Sequence, residues 1–295
     1  MLNPAFRLVN NVAETPWHFG ERKLMESDIR VSSVKDFVEK VCEVRDSWIV
    51  GSEFFDPWFR GQTSSSWPPE PGVFRYGLLD DEDEIRDQFQ RKGPQYMTEL
   101  PPEDHWGWYF LMQHYGAPTR LLDWTDSALI ALFFALNSAP KPPNDSGDSN
   151  DECDAVVWML NPWWLNKRVI GKEEILLPSS GEIGSYLAKP WVHTGFGGNT
   201  RISPRYPVAI DPPFIARRIA VQRSHFTIFG HDRAGLLELS TEKDVQLIKI
   251  IIASEGIPRM RADLGTLGVT DTSVYPDLHG LADELTRYRS GNWPL

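Results

Sequence analysis

Apolar positions in the first half of the chain recur at helical spacing. Residues 33–46 start with a capping serine, and the apolar side chains that follow are Val34, Phe37, Val38, Val41 and Cys42. Residues 80–92 carry carboxylates first and basic groups last, which suits the helix dipole. Residues 103–115 predict a third helix that ends at Gly116. Residues 126–138 are apolar on nearly all sides, which predicts a buried helix.

Short apolar runs bounded by Gly, Pro and Asp predict strands, and most of them lie in the second half. The first half contributes one, at residues 57–60. The others are residues 155–160, 217–222, 225–230, 235–239 and 247–252. Two short helices close the chain, at residues 256–266 and 276–289. This order predicts an α+β fold, with a helical first half packed on a mixed, mainly antiparallel sheet from the second half.

The length and composition indicate one large domain. The chain has 295 residues, of which 41% are hydrophobic, enough to build a substantial core. A polar segment rich in Pro, Gly and Ser predicts a mobile loop at residues 140–153. We therefore expect an N-terminal extension over residues 1–32 and one domain over residues 33–290.

Charge and cysteine usage exclude several classes of protein. The net charge of −11 disfavours non-specific binding of nucleic acid. Cys42 and Cys153 lie far apart and have no metal-ligand spacing, and no histidine pairs with a metal ligand at such spacing. The sequence shows no secretory signal and no apolar run of about 18 residues. We expect a cytoplasmic protein without a metal and without a membrane partner.

The stretch PWFRGQ, residues 57–62, places Arg60 at the end of a predicted buried strand. A buried arginine needs a partner, so a structural ion pair or hydrogen bonds to backbone carbonyls are one interpretation. The other is that Arg60 faces a cleft and binds an anion, since its planar guanidinium suits a phosphate or carboxylate. Gly61 has no Cβ and would let a ligand or a backbone approach.

A second polar cluster, QHYGAPTRLLDWT, occupies residues 113–125. Because the residue before Pro118 avoids helical space, an extended segment is predicted between the helix that ends at Gly116 and the buried helix. The cluster is either a satisfied polar network that orients two helices, or part of the cleft that Arg60 faces. In the second case the lining residues are Gln113, His114, Arg120 and Asp123.

A third cluster spans residues 217–227. Strand alternation puts Arg218, Ala220 and Gln222 on one face, and a turn at residues 223–224 would present Gln222 and His225. His225 on its own is an ordinary packed or surface histidine, or a catalytic one. The glycine-rich GFGGN at residues 195–199 lacks the flanking strand and helix of a phosphate loop.

Together these motifs resemble the FRG domain family, named for its Phe-Arg-Gly motif. The matching residues are Phe59 to Gln62, Gln113 to Gly116, Thr119 to Thr125, Ala131 to Ala135, Arg218, Ile219, Gln222, Phe226 and Tyr275 to Leu281. The resemblance covers about residues 33–288. Ser224 departs from the pattern, in which glycine is usual.

The motif style is also similar to the ADP-ribosyltransferase fold, in which an aromatic-Arg-Gly strand begins an NAD-binding cleft in a split sheet. The similarity implies that Arg60 contacts the phosphates of NAD and that Gln222 occupies the late-strand position of a catalytic glutamate. An amide cannot supply negative charge to the oxocarbenium-like centre formed when the nicotinamide–ribose bond breaks. Asp123 is therefore the candidate carboxylate.

The resemblance thus implies a set of site residues. The catalytic candidates are Asp123, Gln222 and Arg60. The residues expected to bind NAD are Arg60, Gly61, Gln62, Gln113, His114, Thr119, Arg120, Trp124 and Thr125. Arg60 and Arg120 would bind phosphate, and Trp124 or Tyr115 would stack on a base.

The function that follows is NAD-dependent ADP-ribosyl transfer to a protein or nucleic acid. Such an enzyme would be a toxin or phage-defence effector with an antitoxin or defence-system partner. The main alternative is a nucleotide-sensing or partner-binding module without turnover. A nuclease is a third possibility, which the missing metal ligands and the acidic charge disfavour.

Overall fold

A computed structural model describes nine ranges of the chain: residues 29–49, 56–97, 100–137, 153–187, 191–194, 198–201, 204–212, 223–241 and 244–290. Three predictions fall wholly or mostly outside them. These are the N-terminal extension before residue 29, the mobile loop, and the strand at residues 217–222 with Gln222.

The described residues form one seven-stranded mixed sheet, so the α+β prediction is confirmed. The strands are β1 (Ile29–Val31), β2 (Trp58–Gln62), β3 (Leu121–Thr125), β4 (Ala155–Leu160), β7 (Val208–Ile210), β8 (Ser224–Ile228) and β9 (Leu247–Ile252). Their order is β1-β9-β4-β2-β3-β8-β7, and all neighbours are antiparallel except β1 and β9. A separate hairpin comprises β5 (Trp191–Thr194) and β6 (Gly198–Arg201). The sheet was expected to come from the second half, but β1, β2 and β3 come from the first.

Helices cover the sheet. They are α1 (Val34–Trp48), α2 (Gly72–Arg75), α3 (Glu82–Lys92), α4 (His105–His114), α5 (Ala128–Leu136), α6 (Pro162–Ile170), α7 (Gly184–Leu187), α8 (Gly235–Leu239), α9 (Ile257–Thr266), α10 (Asp271–Val274) and α11 (Leu278–Ser290). The prediction of a strand at residues 235–239 was wrong. Leu236 and Leu239 are three residues apart and both buried, which is helical spacing, and so short a run does not reveal its period.

Segment 121–125 was expected to be an extended lead into a helix, and it is strand β3. Its alternation is hidden because apolar residues of the strand are buried on both faces, and only Asp123 between them is exposed. Leu122 and Trp124 pack in one core, whereas Leu121 packs in another beneath α4. A strand buried on both sides reads as a continuous apolar run.

Each face of the sheet has its own core. On one face, side chains of β4 and β9 pack with α1, α5 and α9, as shown by Phe37, Leu132 and Met260. On the other face, α2, α6 and α8 cover Trp58 and Trp158. Buried apolar side chains therefore pack on both faces of the sheet and position β2 and β3.

Strands β2 and β3 share fewer register pairs than any other neighbouring strands of the sheet. These strands share a single register pair, Phe59 with Thr125, whereas β2 shares five pairs with β4 and β3 shares five with β8. Beyond Phe59 the described residues of the two strands form no further register pair, and the Arg60 side chain bridges them by donating to the Asp123 backbone carbonyl. A cavity opens at this point.

Gly61 lets α5 pack directly against β2. A Cβ built on Gly61 would lie against the Ala131 carbonyl oxygen and 2.6 Å from the Ala135 backbone nitrogen. Because helix backbone cannot move aside as a side chain can, Gly61→Ala is expected to lower the free energy of unfolding by about 2 kcal/mol or more. Urea denaturation measures this loss. The matched control is Gly181→Ala, whose added Cβ would meet nothing within 4 Å; equal stability of both variants would contradict the packing argument.

Candidate functional site

A cavity of about 500 Å³ opens where β2 and β3 separate. Its lining residues are Phe59, Arg60, Gly61, Gln62, Thr63, Trp67, Arg75, Phe110, Gln113, His114, Gly116, Asp123, Trp124, Thr125, Phe134, Ser224 and Phe226. The cavity has the size of a small-molecule site and combines aromatic walls with few charged groups. It brings together most of the residues that the two first-half motifs predicted.

Arg60 projects from β2 into this cavity. Its Nη1 donates to the Asp123 backbone carbonyl at 2.9 Å, and its Nε has no hydrogen-bond partner among the described residues. No carboxylate within the described ranges forms an ion pair with it. Burial lowers the pKa of Arg60 to about 10, Asp123 opposes that shift, and the positive charge of Arg75 adds to it. Arg60 therefore stays protonated at neutral pH as a cation with unused donors.

Asp123 is oriented by a chain of side chains from α4 and the loop before β3. Thr119 Oγ1 donates to Gln113 Oε1 at 2.5 Å, and Gln113 Nε2 donates to Asp123 Oδ2 at 2.6 Å. Thr119 is fully buried and also accepts from the Leu121 backbone N–H. The carboxylate is exposed and keeps Oδ1 available to the cavity. Thr119, which does not line the cavity, thus acts through Gln113.

The prediction that Arg120 binds phosphate does not fit its position. Its guanidinium is 1% exposed and pairs through Nε with Glu82 Oε2 at 2.6 Å. The carbonyl of Tyr186 accepts a further hydrogen bond, and Glu82 also accepts from Tyr109. Burial acts to lower the pKa of Arg120, but Tyr109 and Glu82 outweigh it and leave the pKa raised. Arg120 is a structural cation that anchors β3 to α3 and α4.

Other predicted residues divide between the cavity and the scaffold. Gln62 lines the cavity, but its amide accepts from Trp158 Nε1 at 2.8 Å and donates to the Pro68 carbonyl. Trp124 also lines it, with its Nε1 bound to Thr227 Oγ1. Tyr115 is exposed and outside the lining, so it is not positioned to stack on a base there.

His225 lies away from the cavity lining. Its ring stacks on Trp58 with centroids 4.6 Å apart, and its Nδ1 is 2.6 Å from Asp211 Oδ1. Ser224 and Phe226, its neighbours on β8, do line the cavity. Successive side chains of a strand point to opposite faces, so His225 points away from it. His225 is a packed, hydrogen-bonded histidine.

The sequence patterns did not identify five cavity residues: Thr63, Trp67, Arg75, Phe110 and Phe134. Trp67 lies in the proline-rich segment that follows β2, and Arg75 ends α2 just after it. Such a segment predicts a turn and gives no period to interpret. Phe110 and Phe134 were not identified as cavity residues because they lie in apolar helices, where an aromatic side chain indicates the hydrophobic core. One feature could have identified Trp67 and Arg75: they follow the Phe-Arg-Gly strand closely in the sequence, so they must lie near Arg60.

The cavity differs in charge from the rest of the molecule. Its described lining contains two arginines and one carboxylate, Asp123, whereas the whole chain carries −11. A local positive charge in a cleft attracts anions even when the protein as a whole is acidic. Within the described ranges, no group of three His, Cys, Asp or Glu side chains could hold a metal ion. No described helix is long and apolar enough to cross a membrane.

The match to a known family covers the cavity's two principal motifs. Residues 56–144 match the model of the FRG domain. That segment includes β2, α4, β3 and α5, whereas the later motifs of the resemblance lie beyond it. Searches of curated proteins and of solved structures found no match. The FRG resemblance is therefore confirmed for residues 56–144, and the similarity of the later motifs stays a prediction.

Proposed function

We propose that the cavity binds NAD and that the protein transfers ADP-ribose from it to a macromolecular acceptor. One observation carries the proposal: Arg60, which forms no ion pair with a described residue, lines a cavity that also holds an oriented carboxylate, Asp123. A guanidinium without an ion pair suits a phosphate, and the aromatic walls suit a base or a nicotinamide ring. The single register pair between β2 and β3 supports the finer architecture, a split sheet with its ligand in the split.

In this reaction the bond between nicotinamide nitrogen and ribose C1′ breaks, and its electron pair leaves with nicotinamide. A nucleophile of the acceptor forms the new bond to C1′, and its proton passes to Asp123 or to water. Positive charge develops on the sugar in the transition state, and a nearby carboxylate stabilises it. Arg60 holds the diphosphate, so the ribose is already positioned when the reaction occurs and loses little further entropy in the transition state.

The Thr119–Gln113–Asp123 chain gives the carboxylate one orientation. A side chain held by a hydrogen-bonded neighbour loses no rotamer freedom when the transition state forms, which is the value of a preorganised site. Asp123 lies on the strand next to Arg60, so a ligand held by the guanidinium would place its sugar beside the carboxylate. Gln222, the predicted partner on the late strand, remains part of this proposal.

A nucleotide-binding module without turnover is the second candidate. It is favoured by the shortage of carboxylates, since Asp123 alone supplies negative charge among the described lining residues and shares one oxygen with Gln113. Both candidates predict that Arg60 is needed to bind the nucleotide. Only the transferase predicts that Asp123 is needed for turnover.

Asp123→Asn therefore discriminates between the two functions. The variant keeps the shape of the side chain and removes its charge. Under the transferase proposal, NAD affinity should stay within about threefold while nicotinamide release falls by about 100-fold or more. Calorimetry measures the affinity, and chromatography of nicotinamide measures the turnover.

Two outcomes would contradict the transferase. One is wild-type protein that binds NAD and releases no nicotinamide with any acceptor fraction, which leaves the binding module. The other is an Asp123→Asn variant that turns over at the wild-type rate. The control is Asp126→Asn, a neighbouring carboxylate that lies outside the lining and pairs with Arg223.

A further inference from the structure

Trp67 is an exposed indole at the cavity. Its exposure is 51%, although tryptophan is usually well buried. Exposure of this kind in a loop often accompanies mobility, but the backbone around Trp67 is tethered at three points. Its N–H donates to the Ser64 carbonyl at 3.3 Å, the Ser65 N–H donates to the Asp154 carbonyl at 2.7 Å, and Gln62 Nε2 donates to the Pro68 carbonyl at 3.2 Å.

An exposed aromatic ring on an anchored backbone is suited to stacking. Much of the backbone's ordering entropy is already lost in the free protein, so a planar ligand gains the contact with less further ordering. The Ser64 and Ser66 hydroxyls, 2.7 Å apart, close the same turn. The backbone that carries the Trp67 ring is therefore fixed at the edge of the cavity before any ligand arrives.

Arg75 is the second arginine of the lining, and it is also exposed on an anchored segment. Glu70, 5% exposed, pairs with Arg233 through Nη2 at 2.7 Å and through Nε, which fixes the chain just before α2. The Val73 N–H donates to the Thr119 carbonyl at 3.3 Å and joins α2 to the start of β3. Among the described residues, no carboxylate or carbonyl accepts a hydrogen bond from the Arg75 guanidinium.

Two guanidiniums that share a cavity repel each other, and the charge of Arg75 contributes to the lowered pKa of Arg60. One carboxylate, Asp123, lies in the same described lining. A single phosphate group can be bound by one bidentate arginine. A second arginine without a partner, facing the same space, matches a second phosphate.

We propose that Trp67 and Arg75 recognise a nucleoside diphosphate, with the base stacked on the Trp67 ring and the second phosphate held by Arg75. This inference rests on the proposed function, in which Arg60 holds the first phosphate. It assigns the selectivity of the cavity to the segment between β2 and α3, which the Phe-Arg-Gly motif does not include.

The test compares ADP, AMP and inorganic pyrophosphate by titration calorimetry on the full chain. Wild-type protein should bind ADP at least about 10-fold more tightly than AMP, since a charge-assisted hydrogen bond adds that much affinity. Arg75→Gln should weaken ADP binding about 10- to 100-fold and abolish the preference over AMP. Trp67→Leu should weaken ADP and AMP about equally, by 5-fold or more, and leave pyrophosphate unchanged.

Matched variants separate these effects from changes in charge or folding. Arg91→Gln removes one positive charge from an exposed position on α3 outside the lining, and it should bind as wild type. Trp67→Phe keeps an aromatic face and should retain most of the ADP affinity. Because both target side chains are exposed, all variants should unfold at the wild-type urea concentration.

The outcomes distinguish the two levels of the proposal. Wild-type protein that binds ADP, with Arg75→Gln and Trp67→Leu indistinguishable from it, would overturn this inference and leave the proposed function standing. Wild-type protein that binds none of the three compounds would overturn both.

Discussion

Arg60→Gln is expected to lower the affinity for ADP-ribose by about 100-fold. The loss follows from removal of a charged, bidentate donor from a partly dry cavity, where each charge-assisted hydrogen bond contributes about 1.5–3 kcal/mol. The remaining charge of Arg75 cannot compensate, since its own position suits a different part of the ligand. Titration calorimetry at low and physiological salt measures the change.

Arg60→Lys is the sharper variant. It keeps the positive charge but not the planar fork, so affinity should fall by about 10-fold and lie between wild type and Arg60→Gln. Arg60 also donates to the Asp123 carbonyl, so urea denaturation must show that the fold survives. If Arg60→Gln folds and binds ADP-ribose as wild type does, Arg60 is a scaffold residue that bridges the two strands.

Glu82→Gln is expected to reduce the free energy of unfolding by about 3–5 kcal/mol. Glu82 is fully buried and neutralises Arg120, which is buried as well. Removal of the Glu82 charge leaves the buried Arg120 charge without a counter-charge. This lowers the free energy of unfolding more than removal of both charges would. Equilibrium unfolding in urea gives the value.

Two controls make this second prediction specific. The double variant Glu82→Gln with Arg120→Met should lose less than Glu82→Gln alone, because no uncompensated charge remains. Glu43→Gln breaks the exposed pair with Lys40 and should change stability by less than about 0.5 kcal/mol. A loss for Glu82→Gln no larger than that of Glu43→Gln would show that Arg120 finds another partner.

These two arginines show what the sequence could predict of the site. Arg60 and Arg120 each stand near an aromatic-rich strand, and both were expected to bind phosphate. The decisive difference is Glu82, which lies 38 positions before Arg120 and reaches it only after α3 folds over β3. Local sequence shows that a charge needs a partner, but it does not show whether that partner is internal.

The secondary structure likewise contains elements that local sequence predicted and elements that it did not. Helix α1, with its capping serine and helical spacing, and the six-residue runs of β4 and β9 were predicted nearly to the residue. The five-residue elements β3 and α8 were not, because five residues do not establish a period. The split sheet that the resemblance implies stays a proposal, because no local sequence pattern shows where the pairing between β2 and β3 stops.

The most direct test of the central claim is a crystal structure of the protein with ADP-ribose. We predict that the diphosphate lies between β2 and β3, with a phosphate oxygen about 3 Å from the Arg60 guanidinium and the ribose next to Asp123. ADP-ribose bound elsewhere on the molecule, with Arg60 still directed only at the Asp123 carbonyl, would contradict the account.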